Sequence, residues 1–236
     1  MGFLGEALLR ALKMLLTNEG ELWGTVALSL RLSLGATLIA ALFAVPLGFL
    51  LAVRDFRSKS FVTGLLRTLL AVPAVFLGVV VYLLLSRKGL LGPLGLLFTP
   101  WAILIAQALL AFPLVCALTY TALQGIARES LDLAHSFGAD RLQTVLLLLR
   151  QGRTAFLTAL ITGFSRVLGE TGMTLMVGGN LKGETRVMTT AISLETMKGN
   201  FEIGLALGLV LVILALGLNL LLQLWEGYSF PEESIR

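Results

Sequence analysis

Residues 22–52 read LWGTVALSLRLSLGATLIAALFAVPLGFLLA, an apolar run longer than the roughly 20 residues a helix needs to cross a bilayer. This run decides the class of fold, because comparable ones recur at 61–85, 95–123, 148–177 and 201–225. The whole chain agrees: 57% of its residues are apolar and 14% charged, with a mean hydropathy of +0.92. Polar side chains that scarce cannot cover a soluble core of this size, so lipid must do the covering. The sequence predicts an all-α integral membrane protein with about five transmembrane helices.

The punctuation between the runs is polar. Arg54, Asp55, Arg57 and Lys59 separate the first two, Arg87, Lys88 and Gly89 end the second, and residues 124–141 separate the third from the fourth. Pro46, Pro73 and Pro113 lie inside apolar runs and are candidate kinks or packing devices. In residues 1–20, Glu6, Arg10 and Lys13 share one helical face and Leu4, Leu8, Leu12 and Leu15 another. That pattern predicts a retained amphipathic interfacial helix rather than a cleaved signal peptide. Residues 21–226 then form the membrane domain, and 227–236 a short polar tail expected in the cytoplasm.

The net charge of +4 arises from basic clusters flanking the apolar runs, not from a continuous stripe, which points to membrane lipids as surroundings and away from nucleic acid. Cys116 is the single cysteine, so neither an intrachain disulfide nor a cysteine metal motif can form. Five crossings place the termini on opposite sides. Arg54, Arg57, Lys59, Arg128, Arg141, Arg150 and Arg153 fall on one side, and Arg10, Lys13, Arg87, Lys88, Lys182, Arg186 and Lys198 on the other. The balance is close, and charge alone does not orient the chain.

Residues 124–142, QGIARESLDLAHSFGADRL, interleave Ile126, Leu131, Leu133, Ala134 and Phe137 with charges, as a short amphipathic helix does. Gly138 suits the left-handed residue that ends such a helix, and Asp140 suits a cap for the next. Asp132-Leu133-Ala134 followed by Gly138 resembles the loop, Glu-Ala-Ala and then Gly, by which permeases of ATP-binding-cassette (ABC) importers dock their ATPase. Here Asp replaces Glu, Leu replaces an Ala, and Gln151 stands where the family has a later Pro.

Residues 163–172 (GFSRVLGETG) and 177–186 (VGGNLKGETR) resemble molybdate and tungstate permeases, and 188–196 (MTTAISLET) with 198–202 (KGNFE) resemble the tungstate branch. Residues 27–34 with Pro46-Leu47-Gly48 are similar to the family's first span. The resemblance implies a type I ABC importer permease fold with a cytoplasmic coupling helix. It further implies a tungstate substrate, with molybdate or another oxyanion as the alternative, and a homodimer moving its cargo by alternating access across the cytoplasmic membrane. Two ABC ATPase subunits carrying ATP and Mg, with no cofactor on this chain, and an extracytoplasmic oxyanion-binding protein complete the implied assembly. The loop at 124–141 is then cytoplasmic, which places the N-terminus outside and the C-terminus inside. Asp132, Leu133, Ala134, His135, Phe137 and Gly138 become the ATPase-coupling residues.

Arg166 and Glu170, four apart in the fourth run, are expected to share a helix face and form an ion pair. Ionisable groups at membrane depth face a bundle interior or a wet cavity. The pair therefore either lines a translocation pathway or pins helices together, with Thr162 extending the same face. For an anion, Arg166 must neutralise Glu170, while Ser165, Thr171, Thr174, Asn180, Thr189 and Thr190 supply weak hydrogen-bonding groups. Residues 178–199 are expected as an irregular outer loop, its charges Lys182, Glu184, Arg186, Glu195 and Lys198 solvated or docking the binding protein. Gly204 and Gly208 are spaced for close helix packing.

Other classes fit less well. Asp132, His135 and Ser136 are the nearest approach to an enzyme site, yet adjacent helical residues do not face one another. No phosphate-binding loop is present, so no ATPase activity is expected of this chain. A secondary transporter would show internal repeats, and none is evident.

Overall fold

The computed structural model describes residues 3–17, 20–137 and 139–229, with side chains described for 5–17, 20–126, 136, 137, 139, 140 and 142–225. Gly138 and residues 230–236 of the expected tail lie outside the described residues. The helices are α1 (Phe3–Leu16), α2 (Gly20–Val53), α3 (Lys59–Ala71), α4 (Ala74–Leu85), α5 (Pro100–Ser136), α6 (Arg141–Gln151), α7 (Arg153–Leu168), α8 (Gly172–Gly178), α9 (Met188–Met197) and α10 (Phe201–Ser229). Single helices α2, α5 and α10 are long and apolar enough to cross a membrane, and the bent pairs α3–α4 and α6–α7 bring the crossings to five. The expected all-α, five-span architecture is present.

The centre is the pairing of α2 with α5. Along α2 the buried positions Val26, Ser29, Ser33, Ala36, Ala40, Ala44 and Gly48 recur every three or four residues and are mostly small. Leu34, Leu38, Leu42 and Phe43 on the same helix are exposed. Small residues inside and large ones outside reverse the soluble pattern. Lipid solvates leucine as well as a protein interior does, so helices associate through close backbone approach. Gly48 marks that approach: an added Cβ would lie 2.7 Å from the Cys116 carbonyl oxygen and 2.8 Å from Thr119 Cβ.

One of the three candidate prolines breaks its helix, two do not, and two segment boundaries differ from those expected. Pro73, which cannot donate a backbone bond, caps α4, and the chain turns 98° between α3 and α4. Pro46 and Pro113 lie within the continuous helices α2 and α5. The third span and the amphipathic segment after it are one helix, α5, whose helical period runs unbroken through Gln124. The fourth run is divided: α6 meets α7 at 56° around Gly152, and α7 ends at Leu168.

At the N-terminus, α1 packs Ala7 and Ala11 against the bundle beside Ala206 and Leu207 of α10, while Leu8, Leu12 and Leu16 face outward. The packed face is thus that of Ala7, Ala11 and the half-buried Leu15, while Leu8, Leu12 and Leu16 meet the surroundings. Arg10 bonds Glu202 at 3.2 Å.

Two ends of the bundle are defined by contacts. At one, Lys59 pairs with Asp55 at 2.9 Å and stands 5.9 Å from the Tyr120 ring centre, beside the stretch of α5 that carries Thr121, Gln124 and Gly125. At the other, Lys182 pairs with Glu21 at 2.8 Å.

Replacing Gly48 by Val should force α2 and α5 apart and cost about 1–3 kcal/mol, as overpacking does. Replacing Gly64 by Ala, where nothing lies within 4 Å of an added Cβ, should leave stability equal or slightly higher. Thermal unfolding of the purified chain in detergent reads both, and a Gly48→Val melting temperature equal to the original would refute the close approach.

Candidate translocation site

The site is built where α7 stops. Leu168 ends the helix, Gly169 turns, and Thr171 occupies the cap position of α8. Glu170 therefore sits in the break and does not share a helix with Arg166, as the spacing alone suggested. The pair still forms: an Arg166 guanidinium N–H donates to Glu170 Oε2 at 2.9 Å, with the carboxylate side chain 11% exposed and the guanidinium 46%. The other oxygen, Oε1, accepts from the Met173 amide at 3.4 Å, and the Glu170 carbonyl accepts from Thr189 Oγ1 at 2.9 Å. One carboxylate thus ties the end of α7 to the start of α8, and its backbone ties both to α9.

The remaining breaks are closed by side chains of helices and loops and by one loop amide, as an apolar solvent requires. Gln107, 2% exposed on α5, donates from Nε2 to the Val167 carbonyl at 3.2 Å and accepts from Ser33 Oγ of α2 at 3.4 Å. Ser29 Oγ accepts the Met188 amide at 2.8 Å, anchoring the start of α9 to α2. Thr190 Oγ1 accepts from the Val187 amide at 3.1 Å. At the end of α8 the Phe98 amide reaches the Val177 carbonyl at 3.0 Å, and Thr185 Oγ1 donates to the Gly178 carbonyl.

The predicted residues fall into a connected group. Arg166 and Thr189 each bond Glu170 directly, and Ser165 and Thr171 are half-buried on either side of the break. Asn180, left-handed at φ 53°, donates from Nδ2 to the Thr190 carbonyl at 3.4 Å, so the first turn of α9 links both ends of α8. Thr174 is 1% exposed, and its hydroxyl has no partner among the described residues, as is true of Asn180 Oδ1.

Residues 178–199 are only in part the irregular, solvated loop expected: 179–187 lie outside helices, with 181–184 exposed. Positions 188–197 form α9, and Glu195 is buried, accepting from Asn200 Nδ2 at 2.7 Å and Lys198 Nζ at 2.9 Å. The Asn200 hydrogen bond first, then that from Lys198, hold its carboxyl below the ordinary value of 4.5. Lys182 and Glu184 are exposed. Two residues carry weight that the sequence reading did not assign. Gln107 could have been found as the polar residue inside the third apolar run. Arg31 could have been found as the charge inside the first; it stands exposed on α2 about 16 Å along the helix from Gly20.

At the opposite end, the backbone around Asp132, Leu133, Ala134 and His135 belongs to α5, while their side chains and Gly138 lie outside the described residues. Phe137 is described and 87% exposed, immediately past the helix end. Asp140 caps α6 reciprocally: its Oδ1 accepts from the Gln143 amide at 2.8 Å and its amide donates to Gln143 Oε1 at 2.9 Å.

Chemically, the break offers a guanidinium half open to its surroundings, with its charge balanced by a more buried carboxylate. Such a pair can lend N–H donors to a passing anion without presenting a fixed net positive charge. No group of three or more His, Cys, Asp or Glu suited to a metal occurs among the described residues.

Arg166→Ala should destabilise more than Glu170→Ala, because it strands the more buried charge, and a double-mutant cycle should give a coupling of about 0.5–3 kcal/mol. Additive single effects in detergent unfolding would show the pair to be idle. Glu195→Gln should lower stability at pH 7. Because the folded carboxyl titrates below its unfolded value, its contribution is present above the unfolded value and lost as pH falls through the folded one. The two proteins should therefore converge in melting temperature at acid pH, and a gap that widens there would contradict the assignment.

Residues 44–232 match the family model described as a binding-protein-dependent transport system inner membrane component. The chain is 37% identical to the tungstate uptake system permease protein TupB of Peptoclostridium acidaminophilum, over 99% of this chain and 100% of that one. It is 39% identical to TupB of Campylobacter jejuni, over 70% and 69%. With the molybdenum transport system permease protein ModB of Haemophilus influenzae the identity is 30%, over 84% and 91%. Among solved structures, a chain of the MetNI methionine ABC transporter in an inward facing conformation superposes with a TM-score of 0.72. It does so at 16% identity, covering 87% of this chain and 94% of that one, a likeness of fold. With its five crossings and type I ABC importer permease fold, the chain belongs to the family of binding-protein-dependent transport system inner membrane components, multi-pass proteins of the inner membrane.

Proposed function

We propose that this chain is the permease subunit of an ATP-driven importer of tungstate. The observation that carries the reading is the 37% identity, end to end, to a tungstate uptake permease. The polar break at Arg166 and Glu170 adds a chemical reason. A tetrahedral dianion needs donors along its route, and Arg166, with the half-buried Ser165 and Thr171 beside the break, supplies them without a dedicated tight cage. Thr189, Thr190 and Asn180 bond backbone carbonyls, and Thr174 is buried. Selectivity then rests on a separate extracytoplasmic binding protein. A molybdate importer is the second reading, favoured by the 30% identity to a molybdenum permease.

In this reading two copies of the chain form the pathway and two ABC ATPase subunits bind beneath them, supplying ATP and Mg. The end carrying Lys59 and Phe137 faces the cytoplasm. The end carrying Glu21 and Lys182 faces outward, which puts the N-terminus outside and the C-terminus inside. Coupling runs through the segment 124–141, where Asp132, Leu133, Ala134 and His135 lie in the last turns of α5 and Phe137 follows them, with Gly138 next in sequence. Phe137, an exposed aromatic directly after a helix end, is the natural anchor for a partner's pocket.

Membrane vesicles carrying the chain with its ATPase and binding protein should take up tungstate in an ATP-dependent manner, with molybdate and sulfate competing poorly. Preferential uptake of molybdate would move the substrate, and the absence of ATP-dependent uptake of any oxyanion would overturn the assignment. Phe137→Ala should leave insertion intact and lower uptake about tenfold or more while the ATPase continues to turn over, the loss expected of an interface anchor. Unchanged coupling of hydrolysis to uptake would remove Phe137 from the contact.

A further inference from the structure

A groove of ≈ 610 Å³ follows α2 at the end that carries Glu21, lined by Gly20, Gly24, Thr25, Arg31, Lys182 and Arg186. Positions 20, 24, 27 and 31 lie on one helical face, so a single stripe of α2 forms the floor. At Gly20 and Gly24 an added Cβ would meet nothing within 4 Å, which makes that floor bare backbone beneath open space. An adjoining cavity of ≈ 360 Å³ shares Glu21, Thr25, Lys182 and Arg186 and adds Glu195 and Lys198.

The charges of the two spaces are unequally engaged. Lys182 is held by Glu21 at 2.8 Å and Lys198 by Glu195 at 2.9 Å. Arg186 has a buried Nε with no acceptor among the described residues. Arg31 is exposed at membrane depth and makes no ion pair within 4.0 Å among the described residues. A buried N–H lacking an acceptor is costly, and an arginine within the membrane faces a partner or a wet cavity. Two guanidinium groups therefore line one groove whose nearby carboxylates are already taken by lysines. Planar guanidinium forks match the oxygen spacing of tetrahedral oxyanions better than any other side chain does.

We propose that this groove binds a tetrahedral oxyanion group between Arg31 and Arg186, with Lys182 and Thr25 at its edge. Two sources share that chemistry. One is a free dianion such as tungstate, received on the outward side ahead of the break at Glu170. The other is the phosphate of an anionic phospholipid, its acyl chain lying over Gly20, Gly24 and Leu28. The binding needs no turnover and no partner, so it stands or falls apart from the transport assignment.

The test uses the purified full chain in nanodiscs, in two arms. In the first, free tungstate and inorganic phosphate are titrated by equilibrium dialysis in zwitterionic lipid. In the second, enrichment of phosphatidylglycerol over a phosphate-free glycolipid is read by native mass spectrometry. Arg31→Gln and Arg186→Gln should each weaken binding at least about tenfold, the loss of one charge-assisted contact. Gly24→Phe, which fills the groove without touching a charge, should weaken it as much, and Arg87→Gln should leave it unchanged. Should an arginine variant fail to fold, Gly24→Phe and the Lys-for-Arg replacements decide. Dependence on Arg31 and Arg186 in the first arm assigns the groove to a free oxyanion, and in the second to a lipid phosphate. Binding in both arms that ignores Arg31, Arg186 and Gly24 overturns the proposal.

Discussion

A backbone amide or carbonyl freed inside hydrocarbon has no water to turn to, and this fold breaks its helices at several places. The architecture depends on how those freed groups are answered. Gln107 reaches the last turn of α7, Ser29 receives the first amide of α9, and Thr189 and Thr185 bond the carbonyls of Glu170 and Gly178. Each donor or acceptor comes from a different element, so the short helices α8 and α9 are held by a frame of α2 and α5. That frame in turn requires the small-residue face of α2, because only Ser, Ala and Gly let the two long helices approach closely enough.

The same constraint explains the polar site. A carboxylate in the break at Glu170 is stable because it accepts from Arg166 on one side and from the Met173 amide on the other. Its neutralisation leaves the guanidinium half open, so a charge that would be prohibitive alone becomes a donor available to an anion. Cations at the end that carries Glu21 are arranged differently: Lys182 and Lys198 are engaged by Glu21 and Glu195, and Arg31 and Arg186 are left to face a groove. The first turn of α9 bonds the break through Thr189 and the end of α8 through Asn180.

Much of this was legible in the sequence. Apolar runs gave the five crossings because length and composition alone decide what can span a bilayer, and the spacing of Arg166 and Glu170 allowed their pairing. Asp140 was readable as a cap because its chemistry is local. The break at Gly169 was marked by Gly169-Glu170-Thr171-Gly172, but the apolar residues on both sides made it read as one continuous span. The continuity of α5 past Gln124 was also hidden, because a polar run of helical period looks the same attached or separate. The burial of Glu195 rests on Asn200, and a charge beside Lys198 reads as solvated until that contact is seen. Arg31 and Gln107 were visible as exceptions in apolar runs, but their surroundings come from loops and helices far along the chain.

The central claim is that the break after α7 opens onto an aqueous anion route and not onto lipid or a sealed core. Cys116, the chain's single cysteine, is buried, which leaves a quiet background for thiol labelling. Ser165→Cys and Thr171→Cys would be probed with a membrane-impermeant, hydrophilic thiol reagent in vesicles holding the assembled transporter, with Leu216→Cys on the outer face of α10 as the lipid control. The account predicts that positions 165 and 171 react far faster than 216 and that tungstate slows them. Reactivity at both positions as low as at 216 would contradict it.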